Sequence, residues 1–125
     1  MSSCGTTGVP KCIVQSADGT RIQHLKEDQI YTDLKPSDRL FYFTTCGWMM
    51  WNWLVSVLTS VITFVLYDDS PFYPEAKSMI HRVEKEQISI FGTTAKYISA
   101  LEKSGVIPNK MHDLTPLRTM LSEGS

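Results

Sequence analysis

The feature that most constrains the fold is a stretch with no charged side chain, residues 40–67. It is long enough for a helix that crosses a bilayer, so a membrane span is the first alternative. The stretch is segmented, however. Residues 40–45 are rich in strand-forming types, residues 48–60 have apolar side chains at helical spacing, and residues 61–67 are β-branched and aromatic. This segmentation favours a strand–helix–strand unit over a span.

Strands and helices are predicted to alternate through the rest of the chain as well. Strands are predicted at residues 12–15, 88–91 and 117–121, and helices at residues 20–28, 75–87 and 94–104. A parallel sheet buried between helices needs strands that are apolar on both faces, and the charge-free stretch supplies them. The pattern predicts an α/β fold with a mostly parallel sheet and covering helices.

The apolar faces of the predicted helices identify a candidate core. The residues expected to point inward are Ile22, Leu25, Trp51, Trp53, Leu54, Met79, Ile80, Val83, Tyr97, Ile98 and Leu101. Gly105 is expected to end the last helix, and Pro108 follows beyond it.

Composition excludes several classes of protein. The chain has 125 residues, enough for one compact unit, and its net charge of -1 provides no basic surface for nucleic acid. Its three cysteines, Cys4, Cys12 and Cys46, include no CxxC pair, which argues against a disulfide scaffold or a zinc ribbon. This cysteine usage favours a reducing compartment and predicts a cytoplasmic protein. The first residues do not resemble a signal peptide.

Residues 3–11, SCGTTGVPK, concentrate groups that can hold phosphate. Gly5 and Gly8 allow backbone amides to approach a ligand closely, while the side chains of Thr6, Thr7 and Lys11 add two hydroxyls and one positive charge. The Walker pattern does not fit, because Pro10 precedes the lysine and Cys12 follows it. A Gly/Thr hairpin that binds nothing remains the alternative from composition alone.

This string resembles the phosphate loop of the acyl-adenylate-forming, or AMP-binding, enzymes, which include acyl-CoA synthetases and luciferases. Two Ser/Thr residues usually precede G-T-T-G-x-P-K in that family. Ser3 matches the first of them, and Cys4 stands where the second hydroxyl is expected. The resemblance implies that Ser3, Gly5, Thr6, Thr7, Gly8 and Lys11 bind the β- and γ-phosphates of ATP.

Further strings resemble the acetoacetyl-coenzyme A synthetase branch of that family. They lie at residues 23–27, 43–53, 66–68, 70–71, 95–97, 112–114 and 117–119. The resemblance implies that Trp48, Met49 and Met50 border the acyl pocket and that Gly124 and Ser125 begin the adenine-binding segment. Asp69 and Glu123 depart from the residues usual in that branch, glycine and threonine.

The resemblance implies that residues 1–125 are a fragment of the AMP-binding N-terminal domain. The phosphate loop would lie at residues 3–11, the acyl-pocket segment at 44–53 and the start of the adenine segment at 122–125. The parent would use ATP with Mg²⁺ to activate acetoacetate as an acyl-adenylate and transfer it to coenzyme A, without a prosthetic group. Family motifs absent here include the ribose-binding aspartate and the lysine of the mobile domain, so we expect the chain alone to be inactive. A non-catalytic remnant and a small membrane protein spanning at 40–67 remain alternatives.

The three histidines, His24, His81 and His112, show neither metal-ligand spacing nor a nucleophile nearby in sequence. We expect them to be scattered, in surface or helix-cap roles, and we predict no protein metal site.

Overall fold

The computed structural model describes residues 8–9 and 12–123. Its elements, in chain order, are α1 (Ala17–Lys26), β1 (Arg39–Tyr42), α2 (Met49–Ser56), β2 (Thr63–Val65), α3 (Ser78–Lys85), β3 (Ile90–Thr94), α4 (Ala95–Lys103), α5 (Pro108–Met111) and β4 (Thr119–Glu123). A π-helical turn, Glu27–Tyr31, extends α1, and a 3-10 turn, Val57–Ser60, extends α2. Within the described residues, no helix has the length and apolar character to cross a membrane. The charge-free stretch is instead divided among β1, α2 and β2, as its segmentation predicts.

The four strands form one sheet in the order β2-β1-β3-β4, and every neighbouring pair is parallel. This confirms the predicted α/β class. The chain leaves β1 through α2 to reach β2, and then crosses back through α3 to β3 on the other side of β1. The strand order therefore changes direction between β1 and β3. In open parallel sheets, ligands bind beyond the carboxyl ends of the strands at such a point.

The core lies on both faces of the sheet because side chains alternate along each strand. On one face, Leu40 and Tyr42 pack with Trp53 and Leu54 of α2. On the other face, Phe41 packs with residues of β3, α3 and α4. Predicted core residues that are buried are Trp53, Leu54, Met79, Ile80, Val83, Tyr97 and Leu101, while Trp51 is partly buried against the first cluster.

The buried carboxylate of Asp38 links the amino ends of β1, β3 and β4 through hydrogen bonds. Asp38 accepts hydrogen bonds from Nη2 and Nε of Arg118, at 2.6 and 3.1 Å, and from Oγ of Ser89 at 2.7 Å. The backbone amide of Lys35 donates a fourth, at 2.8 Å. Burial raises the pKa of Asp38, but the hydrogen bonds from Arg118, Ser89 and Lys35 outweigh it, so the pKa lies below its ordinary value. The network holds the register of β1 against β3 and β4.

Three predictions about local structure are wrong. Residues 13–15 form no strand, and only Cys12 makes an isolated bridge. Ile22 is 68% exposed because α1 buries none of its residues and lies beside a cavity instead of covering the sheet. Ile98 is 39% exposed, since α4 faces the core through Tyr97 and Leu101, four residues apart.

The strand boundaries also differ from those predicted. The strand expected at residues 61–67 is shortened to β2, because Val61 has a left-handed backbone, with φ 57°, at the end of the 3-10 turn. The strands expected at 88–91 and 117–121 are displaced toward the carboxyl end, as β3 and β4. The displacement extends β4 to Glu123, at the edge where the parallel strands end.

Candidate functional site

A cavity of about 880 Å³ lies at the carboxyl ends of β1 and β4, between α1 and α2. Tyr42 and Leu121 contribute from the sheet, and Met49, Met50 and Trp53 contribute from α2. One side of α1 and the π-helical turn after it form another wall, from Gly19 to Tyr31. The volume is in the range of small-molecule sites, roughly 300–1,000 Å³. The cavity lies on the α2 face of the sheet, beside the point between β1 and β3 where the strand order changes.

Gly92 makes room for the aromatic side chain at the sheet side of this cavity. Tyr42, Gly92 and Leu121 stand in one row across β1, β3 and β4. A Cβ atom at Gly92 would overlap the Tyr42 ring, so the ring lies across β3 in the space that the glycine leaves. The Trp53 ring packs edge-on against the Tyr42 ring, and the two ring centroids lie 5.9 Å apart.

Tyr42 and Glu123 form a hydrogen-bonded pair in the cavity wall. Burial raises the pKa of the Tyr42 hydroxyl, and the charge of Glu123 together with its hydrogen bond raises it further. Burial likewise raises the pKa of Glu123, although the hydrogen bond from Tyr42 partly offsets the effect. Sequence reasoning assigned Tyr42 no role and recorded Glu123 only as a departure from the family pattern. Their pairing depends on the strand register and on Gly92.

The predicted acyl-pocket segment, residues 44–53, contributes to two cavities. Met49 and Met50, in the first turn of α2, line the large one. Thr44, Thr45 and Trp51 border a second cavity of about 380 Å³ at the ends of β1 and β2. Trp48 caps α2 at its amino end, is 58% exposed and is absent from both linings as the structure describes them. Its acyl-pocket role stays a prediction.

Most of the predicted phosphate loop lies outside the described residues. This applies to Ser3, Gly5, Thr6, Thr7 and Lys11, and also to Gly124 and Ser125 of the adenine segment. Gly8 is described and has φ 100°, a conformation that side chains rarely adopt. Soon after it, Ser16 caps α1 by accepting a hydrogen bond from the Gly19 amide, and both residues line the large cavity.

The expectation that the histidines are scattered is wrong. His24 lines the large cavity, while His81 of α3 and His112 after α5 lie together, with ring centroids 5.9 Å apart. Glu84 lies between them, its Oε2 2.8 Å from Nδ1 of His112 and 3.8 Å from Nδ1 of His81. The spacing H-x-x-E on a predicted helix is the sequence signal for two of the three residues, His81 and Glu84. Only the tertiary fold brings His112 to it.

Comparisons with known proteins agree with this architecture. The family described as AMP-binding enzyme matches residues 1–125. The chain is 55% identical, over 98% of its length, to acetoacetyl-coenzyme A synthetase of Rhizobium meliloti. It is 50% identical, over 100% of its length, to acetoacetyl-CoA synthetase of Mus musculus. The solved structure of acetoacetyl-CoA synthetase from Streptomyces lividans superposes on the whole chain with a TM-score of 0.92 at 44% identity.

In each of these comparisons the chain spans only 19% of the relative's own length. The family match, by contrast, extends over every residue of the chain. The resemblance drawn from the phosphate-loop string is thereby confirmed at the level of the family: the chain belongs to the AMP-binding enzymes.

Proposed function

We propose that this chain is a segment of the N-terminal domain of an ATP-dependent acid–thiol ligase. The enzyme activates acetoacetate as an acyl-adenylate and transfers the acyl group to coenzyme A. The observation that carries the proposal is the large cavity at the ends of β1 and β4. Met49 and Met50 border it, and they belong to the string at residues 43–53 that resembles the acetoacetyl-CoA synthetase branch.

The phosphate end of the site is assigned to residues 3–11. Ser3, Gly5, Thr6, Thr7, Gly8 and Lys11 bind the β- and γ-phosphates of ATP through amides, hydroxyls and one ammonium group. The position of α1 supports this assignment, because its first turn lines the cavity a few residues after the loop. The partial positive charge at a helix amino end favours a bound anion.

The acyl end of the site is assigned to α2. Met49, Met50 and Trp53 present apolar surface to the cavity, which suits the short carbon chain of the acid, and Trp48 stands at the start of the same helix. Gly124 and Ser125, directly after β4, are assigned to the adenine. Glu123, the partner of Tyr42 in the cavity wall, directly precedes these two residues in the chain.

The remaining ligands are assigned by chemistry. ATP brings Mg²⁺, whose preferred ligands are phosphate oxygens and water. Within the part of the chain that the structure describes, the one group of three potential metal ligands lies away from the cavity, so no described residue is assigned to this ion. Coenzyme A supplies the thiol that displaces AMP. The cytoplasmic location indicated by cysteine usage, and a place in lipid metabolism, stay predictions.

Adenylation places negative charge on a crowded phosphorus centre, and the segment contributes positioning and charge stabilisation. The family lysine that reaches the α-phosphate lies beyond this segment. The test compares acetoacetate-dependent ATP–pyrophosphate exchange by the chain alone and by the full-length protein that carries it. We expect exchange only with the full-length protein. If the full-length protein shows no exchange, the remnant alternative holds.

The acyl assignment is tested in the full-length protein with Met50→Ala. Because a cavity contact of this size is worth about 1–3 kcal/mol, we expect kcat/KM for acetoacetate to fall at least about tenfold. Longer acids should lose less, since the cavity is enlarged. Met111→Ala is the matched control, because Met111 is exposed on α5 away from the cavity. Equal effects of the two substitutions would contradict the assignment.

A further inference from the structure

His81, Glu84 and His112 form a compact cluster on the sheet face opposite the large cavity. His81 and Glu84 are three residues apart on α3, so they project from one side of the helix. His112 follows α5. One ligand atom from each residue lies within 4.8 Å of the other two. We propose that this cluster binds a divalent transition metal ion of the zinc type through two imidazoles and one carboxylate.

Glu84 is already oriented for this role. Its Oε1 accepts a hydrogen bond from the backbone amide of Asp113, at 2.8 Å. That bond directs Oε2 toward the two imidazoles, 2.8 Å from His112 and 3.8 Å from His81. Metal-binding carboxylates are held by such outer hydrogen bonds, which lower the cost of ordering the ligand.

Among the described residues, no lysine or arginine forms an ion pair with Glu84, so its carboxylate is available to a metal ion. Besides the Asp113 amide, the described partners of the Glu84 carboxylate are the two histidines, which are neutral unless protonated. Arg82, also on α3, directs its guanidinium at the ring of Tyr67, 4.5 Å from the centroid. Two imidazole nitrogens and one carboxylate oxygen match the ligands of zinc sites that keep a water in the fourth position. Mg²⁺ prefers oxygen ligands in an octahedron, so this cluster discriminates against it.

The two histidines differ in how far they must adjust. Zinc–ligand bonds of about 2 Å place the ligand atoms of a tetrahedral site roughly 3.3 Å apart. Nδ1 of His81, 3.8 Å from Oε2 of Glu84, must therefore move closer, whereas Nδ1 of His112, hydrogen-bonded to that oxygen at 2.8 Å, must move slightly away from it. The side chain of His81 is 63% exposed and is free to turn, whereas that of His112 is 9% exposed and fixed in place. Coordination through Nδ1 of His112 puts its ring proton on Nε2, which is buried and has no partner among the described residues. This unpaired donor makes the site weaker than one whose histidines are hydrogen-bonded on both sides.

The experiment is a calorimetric titration of the chain with zinc chloride near neutral pH. The thiols are alkylated first, because Cys12 and Cys46 are exposed and free. We expect one zinc site. His81→Ala and Glu84→Gln should each weaken its affinity for zinc by at least about tenfold, because each removes one ligand. His24→Ala, a histidine outside the cluster, should leave the affinity unchanged.

Two further readouts separate the cluster from nonspecific binding. Cobalt in place of zinc should give the visible absorption of a four-coordinate site, which His81→Ala abolishes without changing the far-UV circular dichroism. Magnesium chloride should give no corresponding heat. Absence of one-site zinc binding by the wild-type chain, or equal affinities of His81→Ala and His24→Ala, would overturn the proposal.

Discussion

Asp28 provides a stability prediction whose sign is unusual for an acidic residue. It lies in the π-helical turn after α1, its residue surface is 0% exposed, and neither carboxylate oxygen has a hydrogen-bond partner among the described residues. Burial, with a smaller contribution from the charge of Glu27, raises the pKa of Asp28 from 3.8 to about 6. Above that pH, the folded chain holds an uncompensated buried charge.

The magnitude follows from the pKa. The folded state binds the proton more tightly than the unfolded state, so the contribution of Asp28 to stability falls as pH rises from about 4 through 6. At about 1.4 kcal/mol per pH unit, the charge costs up to about 3 kcal/mol near pH 8. Asp28→Asn removes the charge and keeps the volume. We therefore expect it to stabilise the chain by roughly 2–3 kcal/mol near pH 8 and to change little near pH 4.

The assay is urea unfolding followed by the fluorescence of the tryptophans, of which Trp53 is buried. With a slope of about 1.5 kcal/mol per molar urea, the urea midpoint is expected to rise by roughly 1.3–2 M near pH 8. Glu102→Gln is the control, because it makes the same chemical change at an exposed position of α4 and should stay within about 0.5 kcal/mol. A lower midpoint for Asp28→Asn near pH 8, or a gain of equal size near pH 4, would refute the reasoning.

Two further substitutions test the scaffold behind the site. Asp38→Ala should destabilise the chain by about 3 kcal/mol, because it removes the carboxylate that pairs with the partly buried Arg118 and leaves Ser89 and the Lys35 amide without their acceptor. Lys77→Ala, in an exposed ion pair, should cost under about 1 kcal/mol of stability. Because the pKa of Asp38 is lowered in the folded chain, its contribution to stability is present above about pH 4 and is lost as the pH falls further. The urea midpoints of the wild type and of Asp38→Ala should therefore converge in acid. Gly92→Ala should lower the free energy of unfolding by at least about 3 kcal/mol and alter the near-UV circular dichroism of Tyr42. Its control, Gly105→Ala, lies in open space at φ 71° and should lower the free energy of unfolding by about 1 kcal/mol. Similar urea midpoints for the two glycine variants would contradict the close approach of Tyr42 to β3.

Much of the fold follows from local patterns in the sequence. The charge-free stretch predicts strands apolar on both faces, and β1 has Leu40 and Phe41 buried on opposite sides of the sheet. The spacing of Met79, Ile80 and Val83 predicts the buried face of α3, and all three are buried. These predictions succeed because period and burial are linked within a single helix or strand.

Other features fall outside such patterns. Ile22 is predicted to be buried on helical spacing, but nothing in a local pattern reveals that α1 borders a cavity instead of covering the sheet. The family resemblance implies an acyl-pocket role for Met49 and Met50, and both line the large cavity. It does not reveal that Trp51 and Thr44 border a second cavity.

The sequence by itself determined the α/β class, the core face of α3 and the family, because each depends on residues that are close together in the chain or on a continuous motif. The tertiary structure alone decided which distant residues meet. Tyr42 reaches Glu123 because β3 lies between their strands with a glycine in the same row. His112 reaches Glu84 because the chain after α4 returns past α3 before entering β4. Such contacts depend on strand order, register and crossover, and these properties arise only when the elements pack together.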